Sequence, residues 1–177
     1  MEFRTFTPEL ELRSASKRLL RGIVVPFGVN QQIDGTLTER FESGAFKHQL
    51  KAASRVKLYS EHSIHPRSVQ LGHATELRED QAGLFGEFYV VPSRDGDHYL
   101  ELVKAGSLSE WSIGFRTMAY RMDGRITVRT KATVFETALV PEGAYGELAS
   151  VGEVRAAVPR LTRDTLLARL PEPHFPA

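Results

Sequence analysis

Between Arg18 and Val140 the chain is divided into seven short runs rich in β-branched and aromatic residues. They read "RLLRGIVVPFGV" (18–29), "RVKLYSEH" (55–62), "VQLGHATELRED" (69–80), "GLFGEFYVV" (83–91), "SEWSIGFRTMAYRM" (109–122), "GRITVRT" (124–130) and "ATVFETALV" (132–140). A polar turn around Asp80–Gly83 joins the third and fourth as a hairpin, and the last three runs, with short connections, complete a mostly antiparallel set. An open sheet exposes two edges, and closure removes them. The expected fold is therefore mainly β with flanking helices (α+β), a closed antiparallel β-barrel of about seven strands. A chain of 177 residues can build one sizeable core but hardly two.

Two helices are expected between the strands. "SGAFKHQLKAA" (43–53) offers Ser43 as N-cap, with Phe46, Leu50 and Ala53 at helical spacing. "SRDGDHYLELVKAG" (93–106) has Ser93 as cap, acids in its first turn and Gly106 at the C-terminal stop. Its apolar stripe is Tyr99, Leu102 and Val103. The organisation reads as a barrel domain over 1–150 and a Pro-rich tail over 151–177. In the tail, Pro159, Pro171, Pro173 and Pro176 surround the amphipathic piece "TRDTLLARL", which reads as weakly docked or detachable.

Composition narrows the function classes. The 23 basic and 22 acidic residues leave a net charge of +1, so no overall field favours nucleic acid or an anionic membrane. Arg116, Arg121, Arg125, Arg129 and Lys131 fall along one predicted hairpin, where a charged surface is a simpler reading than a nucleic-acid stripe. Without cysteine there is no disulfide, thiolate metal site or cysteine nucleophile. No signal-like apolar block and no run of about 18 apolar residues is present, which leads us to expect a soluble intracellular protein.

Three residues could carry chemistry. In "SEWSIGF", Trp111, Ile113 and Phe115 share one strand parity while Ser112 and Gly114 share the other, so the hydroxyl stands beside a gap. His62 closes the run "RVKLYSEH" where it opens into the loop "SIHPRS". Glu136 lies in "TVFETALV", apolar on both parities, and a carboxylate there needs a partner or a proton. Each also has a plain structural reading: a hydroxyl bonded to backbone, a rim histidine, and a carboxylate paired with arginine. His48 and His98 fall on polar helix positions, and His174 lies in the tail. Glu61, His62, His65 and His73 could also be weighed as metal ligands, but "EHSIHP" lacks the H-E-x-x-H spacing. No G-x-S-x-G elbow occurs.

The run "GSLSEWSIGFR" (106–116) resembles the serine segment of the tailed-phage prohead maturation proteases, roughly "S-x-x-S-F/I-G-F". In the right order around it, "LRGIVVPFGV", "LTERFESGAFKHQL", "VKLYSEHSIHPRSVQLG" and "TVFETALVPEGAY" are similar to other segments of that family, so the likeness spans about residues 18–148. The histidine context is "E-H-S" where the family usually has "N-H-D". Ala138 replaces a usual serine, and an extra residue precedes Ala144.

The resemblance implies Ser112 as nucleophile, His62 as general base and Glu136 as the third member. It also implies an assemblin-like barrel, through the family's relation to the herpesvirus serine proteases, and no metal or cofactor. The implied activity is that of a serine endopeptidase that cleaves capsid or scaffold segments inside the procapsid, in the host cytoplasm, with self-cleavage. The implied partners are the major capsid protein with its scaffold segment and a second copy of the chain; composition and charge lead us to expect no nucleic acid and no membrane. Extended substrate would add along a groove beside Ser112, with the stretch Arg121–Lys131 as a guess for the oxyanion donors. The rival expectations are an idle assembly or scaffold protein of the same fold and a hydrolase of small esters.

Overall fold

A computed structural model describes residues 2–6, 11–13 and 18–140. Ten strands form one sheet: β1 (Glu2–Phe6), β2 (Glu11–Arg13), β3 (Leu19–Pro26), β4 (Gln31–Gln32), β5 (Thr38–Phe41), β6 (Lys57–Tyr59), β7 (Gln70–Glu79), β8 (Gly83–Val90), β9 (Glu110–Asp123) and β10 (Ile126–Val140). A single helix, α1 (Arg94–Lys104), and a 3-10 segment, Leu50–Arg55, complete the described elements. The hydrogen-bonded order is β1-β9-β10-β6-β7-β8-β3-β2, with β5 on β10 and β4 on β5.

The sheet is a curled half-barrel and is open, which corrects the expected closed barrel of about seven strands. β3 comes close to both β1 and β9, but no ladder joins the two ends. The strand count changed for two reasons. Residues 124–140, read as two strands, hold the single long β10 after a two-residue turn, with register shifts between Arg129 and Ala132 and between Val134 and Glu136. Four short strands, β1, β2, β4 and β5, lack the apolar alternation that marks a strand in sequence. The hairpin β7–β8 stands where expected, with Glu79 opposite Leu84 and Gly72 opposite Val90.

β10 organises the sheet because one of its edges serves two parallel partners. β5 pairs with Ile126–Arg129 and β6 with Glu136–Ala138. Between them the ladder is interrupted, and the backbone groups left over must find other partners. The loop after β5 supplies these. Glu42 N–H donates to the Arg129 carbonyl, Ala132 N–H to the Ala45 carbonyl, and Val134 N–H to the Gln49 side-chain oxygen at 2.9 Å.

This use of the loop explains a second correction. The helix expected over 43–53 is a series of turns followed by the 3-10 segment Leu50–Arg55, kinked at Ala52. Gly44 has φ +96°, a left-handed conformation that starts a turn rather than a helix. Glu79 on β7, not Ser43, caps the segment: its carboxylate accepts from Gly44 N–H at 3.0 Å and Phe46 N–H at 2.7 Å. Phe46 then enters the core against Phe41 and Phe27. Of the periodic apolar residues Phe46 is buried, while Leu50 and Ala53 pack partly buried against the core from the 3-10 segment, so the helical spacing carried no helix.

α1 has the expected cap and stop, while its buried stripe is centred on Leu100 and Val103 rather than on Tyr99, Leu102 and Val103. Ser93 Oγ accepts from Gly96 N–H, Gly106 is left-handed just past the end, and Leu100 and Val103 are buried with Tyr99 and Leu102 packed partly behind them. Leu20, Val24, Phe41, Phe46, Leu58, Leu71, Phe88, Trp111, Ile113 and Phe115 belong to one hydrophobic core. No helix among the described residues is long and apolar enough to cross a membrane. The tail 151–177 lies outside the described residues.

Glu79→Ala should lower stability by about 1–3 kcal/mol, because two partly buried N–H groups lose their acceptor. Urea unfolding followed by tryptophan fluorescence checks it, since Trp111 is buried in the core.

Candidate active site

β9 and β10 carry two of the three candidate residues on adjoining strands. In their antiparallel register Ser112 lies opposite Ala138, and Glu136 lies opposite Gly114. Ser112 and Glu136 therefore share one face, two residues apart along the strands. Gly114 puts no side chain on that face beside the carboxylate. The other parity anchors β9, with Trp111, Ile113 and Phe115 fully buried.

The third residue comes from the loop that leaves β6. β6 pairs with β10 so that Lys57 stands beside Glu136, and the chain then runs three residues beyond Tyr59 to reach His62. Buried Ser60 ties the loop at its base: its N–H donates to the Val69 carbonyl, and its Oγ accepts from Val69 N–H at 2.9 Å. Ser68 Oγ donates to the Glu61 carbonyl at 2.7 Å, and His65 N–H to the His62 carbonyl. His62 thus sits on a short, braced turn rather than on a free loop.

The structure brings Ser112, His62 and Glu136 together. His62 Nε2 is 2.6 Å from Ser112 Oγ, and His62 Nδ1 is 3.0 Å from Glu136 Oε1. The same carboxylate oxygen accepts from Ser63 N–H at 3.1 Å. An ionised carboxylate only accepts, so Nδ1 carries the proton that faces it. The neutral ring then offers the Nε2 lone pair to the Ser112 hydroxyl. A hydroxyl held in this way can give up its proton as its oxygen attacks a carbonyl carbon. Glu136 meets a histidine rather than the arginine that was its plain alternative. Lys57, its neighbour across the ladder, donates instead to the Ser54 carbonyl.

Burial within the triad is graded. Ser112 is 0% exposed and the Glu136 side chain 3%, while the His62 side chain keeps 22%. Of the three, the imidazole is the part in contact with solvent.

The remaining candidates lie elsewhere. His48 Nε2 meets Thr133 Oγ1, His65 pairs with Glu61, His73 packs edge-on to Tyr89, and His98 packs edge-on to Tyr99. His174 is outside the described residues. Among the described residues no group of three His, Asp or Glu side chains could hold a metal. The basic hairpin residues do not form one stripe: Arg129 is buried against Glu39, Arg121 meets Glu42, and Arg116 lies over Phe135. The guess for the oxyanion donors fails on distance. Arg121–Lys131 is strand, turn and strand, and along β9 it lies more than about 20 Å from Ser112 at roughly 3.3 Å per residue.

Two parts of the site escaped the sequence. The Ser63 amide carries no side-chain signal, since any residue would supply the same N–H. β1 pairs with β9 directly beside the serine, Thr5 opposite Ser112. In "EFRTF" the two phenylalanines fall on opposite parities, which hides the strand.

A family model described as Caudovirus prohead serine protease matches residues 7–157. No curated protein and no solved structure matches the chain.

Glu136→Gln keeps an acceptor for Nδ1–H but removes the charge that would balance an imidazolium. Labelling of Ser112 by a fluorophosphonate, read by intact mass, should slow on the order of 10³-fold while the urea midpoint changes little.

Proposed function

The chain belongs to the caudovirus prohead serine protease family, and we propose that Ser112, His62 and Glu136 are its catalytic nucleophile, general base and orienting acid. The observation that carries this is the unbroken hydrogen-bond chain from hydroxyl through imidazole to a buried carboxylate. Ser112 Oγ attacks the scissile carbonyl carbon as its proton passes to His62 Nε2. Glu136 holds the ring and stabilises the imidazolium. The proton then goes to the leaving amine, and water releases the acyl group by the same sequence in reverse. Backbone N–H groups near Ser112 supply the oxyanion donors. The reading invokes no metal and no cofactor.

The substrates we propose are the major capsid protein with its scaffold segment, cut inside the procapsid in the host cytoplasm, and the chain itself, with the tail 151–177 as the disposable part. Association of two copies and kinship with the herpesvirus assemblins belong to the same proposal, which places no weight on barrel closure. One observation favours a second reading, a catalytically idle assembly protein of this fold. It is the complete burial of Ser112.

The test is intact mass over time for the wild-type chain and Ser112→Ala, each expressed with its cognate capsid protein. We expect wild type to trim the capsid protein or itself and Ser112→Ala to leave both whole. Equal trimming by both would remove Ser112 from the role, and intact proteins in assembled shells for both would establish the idle reading.

A further inference from the structure

β9 has two edges. β10 occupies one along its whole length, while the other is covered over Trp111–Phe115 by β1 and, among the described residues, carries no strand over Arg116–Asp123. The covered stretch is the one that contains Ser112. The register is Glu2 with Phe115, Phe3 with Gly114, Arg4 with Ile113, Thr5 with Ser112 and Phe6 with Trp111. A five-residue strand thus runs past the serine, at the usual inter-strand spacing of about 4.8 Å.

We propose that β1 is an internal occupant of the substrate edge: residues 2–6 hold, in cis, the seat where an extended peptide pairs with β9, and must leave before that peptide can bind. This rests on the reading of Ser112 as nucleophile. Three features carry it. An extended peptide that adds as a strand beside the serine must use this edge of β9, because among the described residues the other edge is taken by β10. That edge is filled by a strand of the same chain only where the serine lies. The hydroxyl has no exposed surface in this arrangement, so a substrate carbonyl cannot reach it until something moves.

β1 suits that part. It lies at the end of the sheet order, with a paired strand on one side only among the described residues, so its departure breaks one described ladder. β2, four residues beyond it, pairs with β3 at the opposite end of the sheet. Phe6 and Glu11 are at most about 18 Å apart along the chain, so β2 tethers β1 within reach of its seat. A strand tethered in this way competes as an intramolecular ligand with an effective concentration that free peptide must overcome.

Full-length wild type, Arg4→Pro and Thr5→Pro are compared in fluorophosphonate labelling of Ser112, with Ser112→Ala as blank. Alternate residues of β1 bond to β9, so one of the two prolines removes a ladder hydrogen bond. We expect that variant to label at least tenfold faster than wild type. A synthetic peptide of residues 1–8, added in excess, should slow it again. Equal labelling rates, with hydrogen exchange showing the Trp111–Phe115 amides freed in the variant, would overturn the proposal and leave the nucleophile intact. Absence of labelling in every form, with those amides freed, would overturn the nucleophile instead. Should a proline disturb the β7–β8 amides as well, the wild-type chain decides. Low urea must raise Ser112 labelling and Trp111–Phe115 exchange in the same proportion, and labelling that stays constant while exchange rises refutes the gate.

Discussion

The carboxylate of Glu136 is buried in a strand with apolar residues on both sides, and a charge in that setting is tolerated only when it is paired and hydrogen-bonded. Its two donors, His62 Nδ1–H and Ser63 N–H, are consecutive residues of one loop. The carboxylate therefore fixes the loop, and the loop in turn fixes the imidazole over Ser112. Structural and chemical demands coincide at this point. The interaction that makes the buried charge tolerable also sets the tautomer needed for proton transfer.

For that pairing to form, β6 and β9 must flank β10 at the same height. β10 achieves this by dividing one edge between β5 and β6 and leaving a gap of several residues between them. The gap is filled by backbone and side-chain groups of residues 42–49, held in turn by Glu79 on β7. A second buried charge pair, Arg129 with Glu39 at 2.7 Å, fastens β5 to the far half of β10. Breaking such a pair on one side leaves an unbalanced charge and is costlier than the pair is stabilising. The position of His62 thus depends on contacts far from the site, all of which hold β10 to both of its parallel neighbours.

Much of this could be read from residues alone. The parity of Ser112 and Gly114 against Trp111, Ile113 and Phe115 is a local property of one strand, and the structure keeps it. The α1 cap and stop are local too, as is the β7–β8 hairpin. What could not be read is non-local. "SGAFKHQLKAA" has helical spacing, but Gln49 and the Ala45 carbonyl are drawn to unpaired backbone of β10, which no window of sequence reveals. Whether a sheet closes depends on whether its two end strands bond to each other, and neither β1 nor β2 carries a strand pattern. His62, Ser112 and Glu136 were each visible with an ordinary alternative beside them. Only the three-dimensional distances separate a bonded triad from three unrelated residues.

Openness of the sheet has a chemical consequence. A closed barrel would pair both edges of every strand and leave β9 with no free backbone beside Ser112. The half-barrel instead ends at β9 and β1, so the serine strand is one short ladder away from being an edge. An edge strand is a hazard when bare, since any extended chain can add to it. Covering it with a tethered strand of the same molecule answers that hazard. The cover is five residues long and, among the described residues, flanked by a strand on one side only. On the proposed gate, the position of one short strand sets whether the buried hydroxyl is sealed or presented, and the hydrogen-bonded Ser112, His62 and Glu136 need not rearrange between the two states.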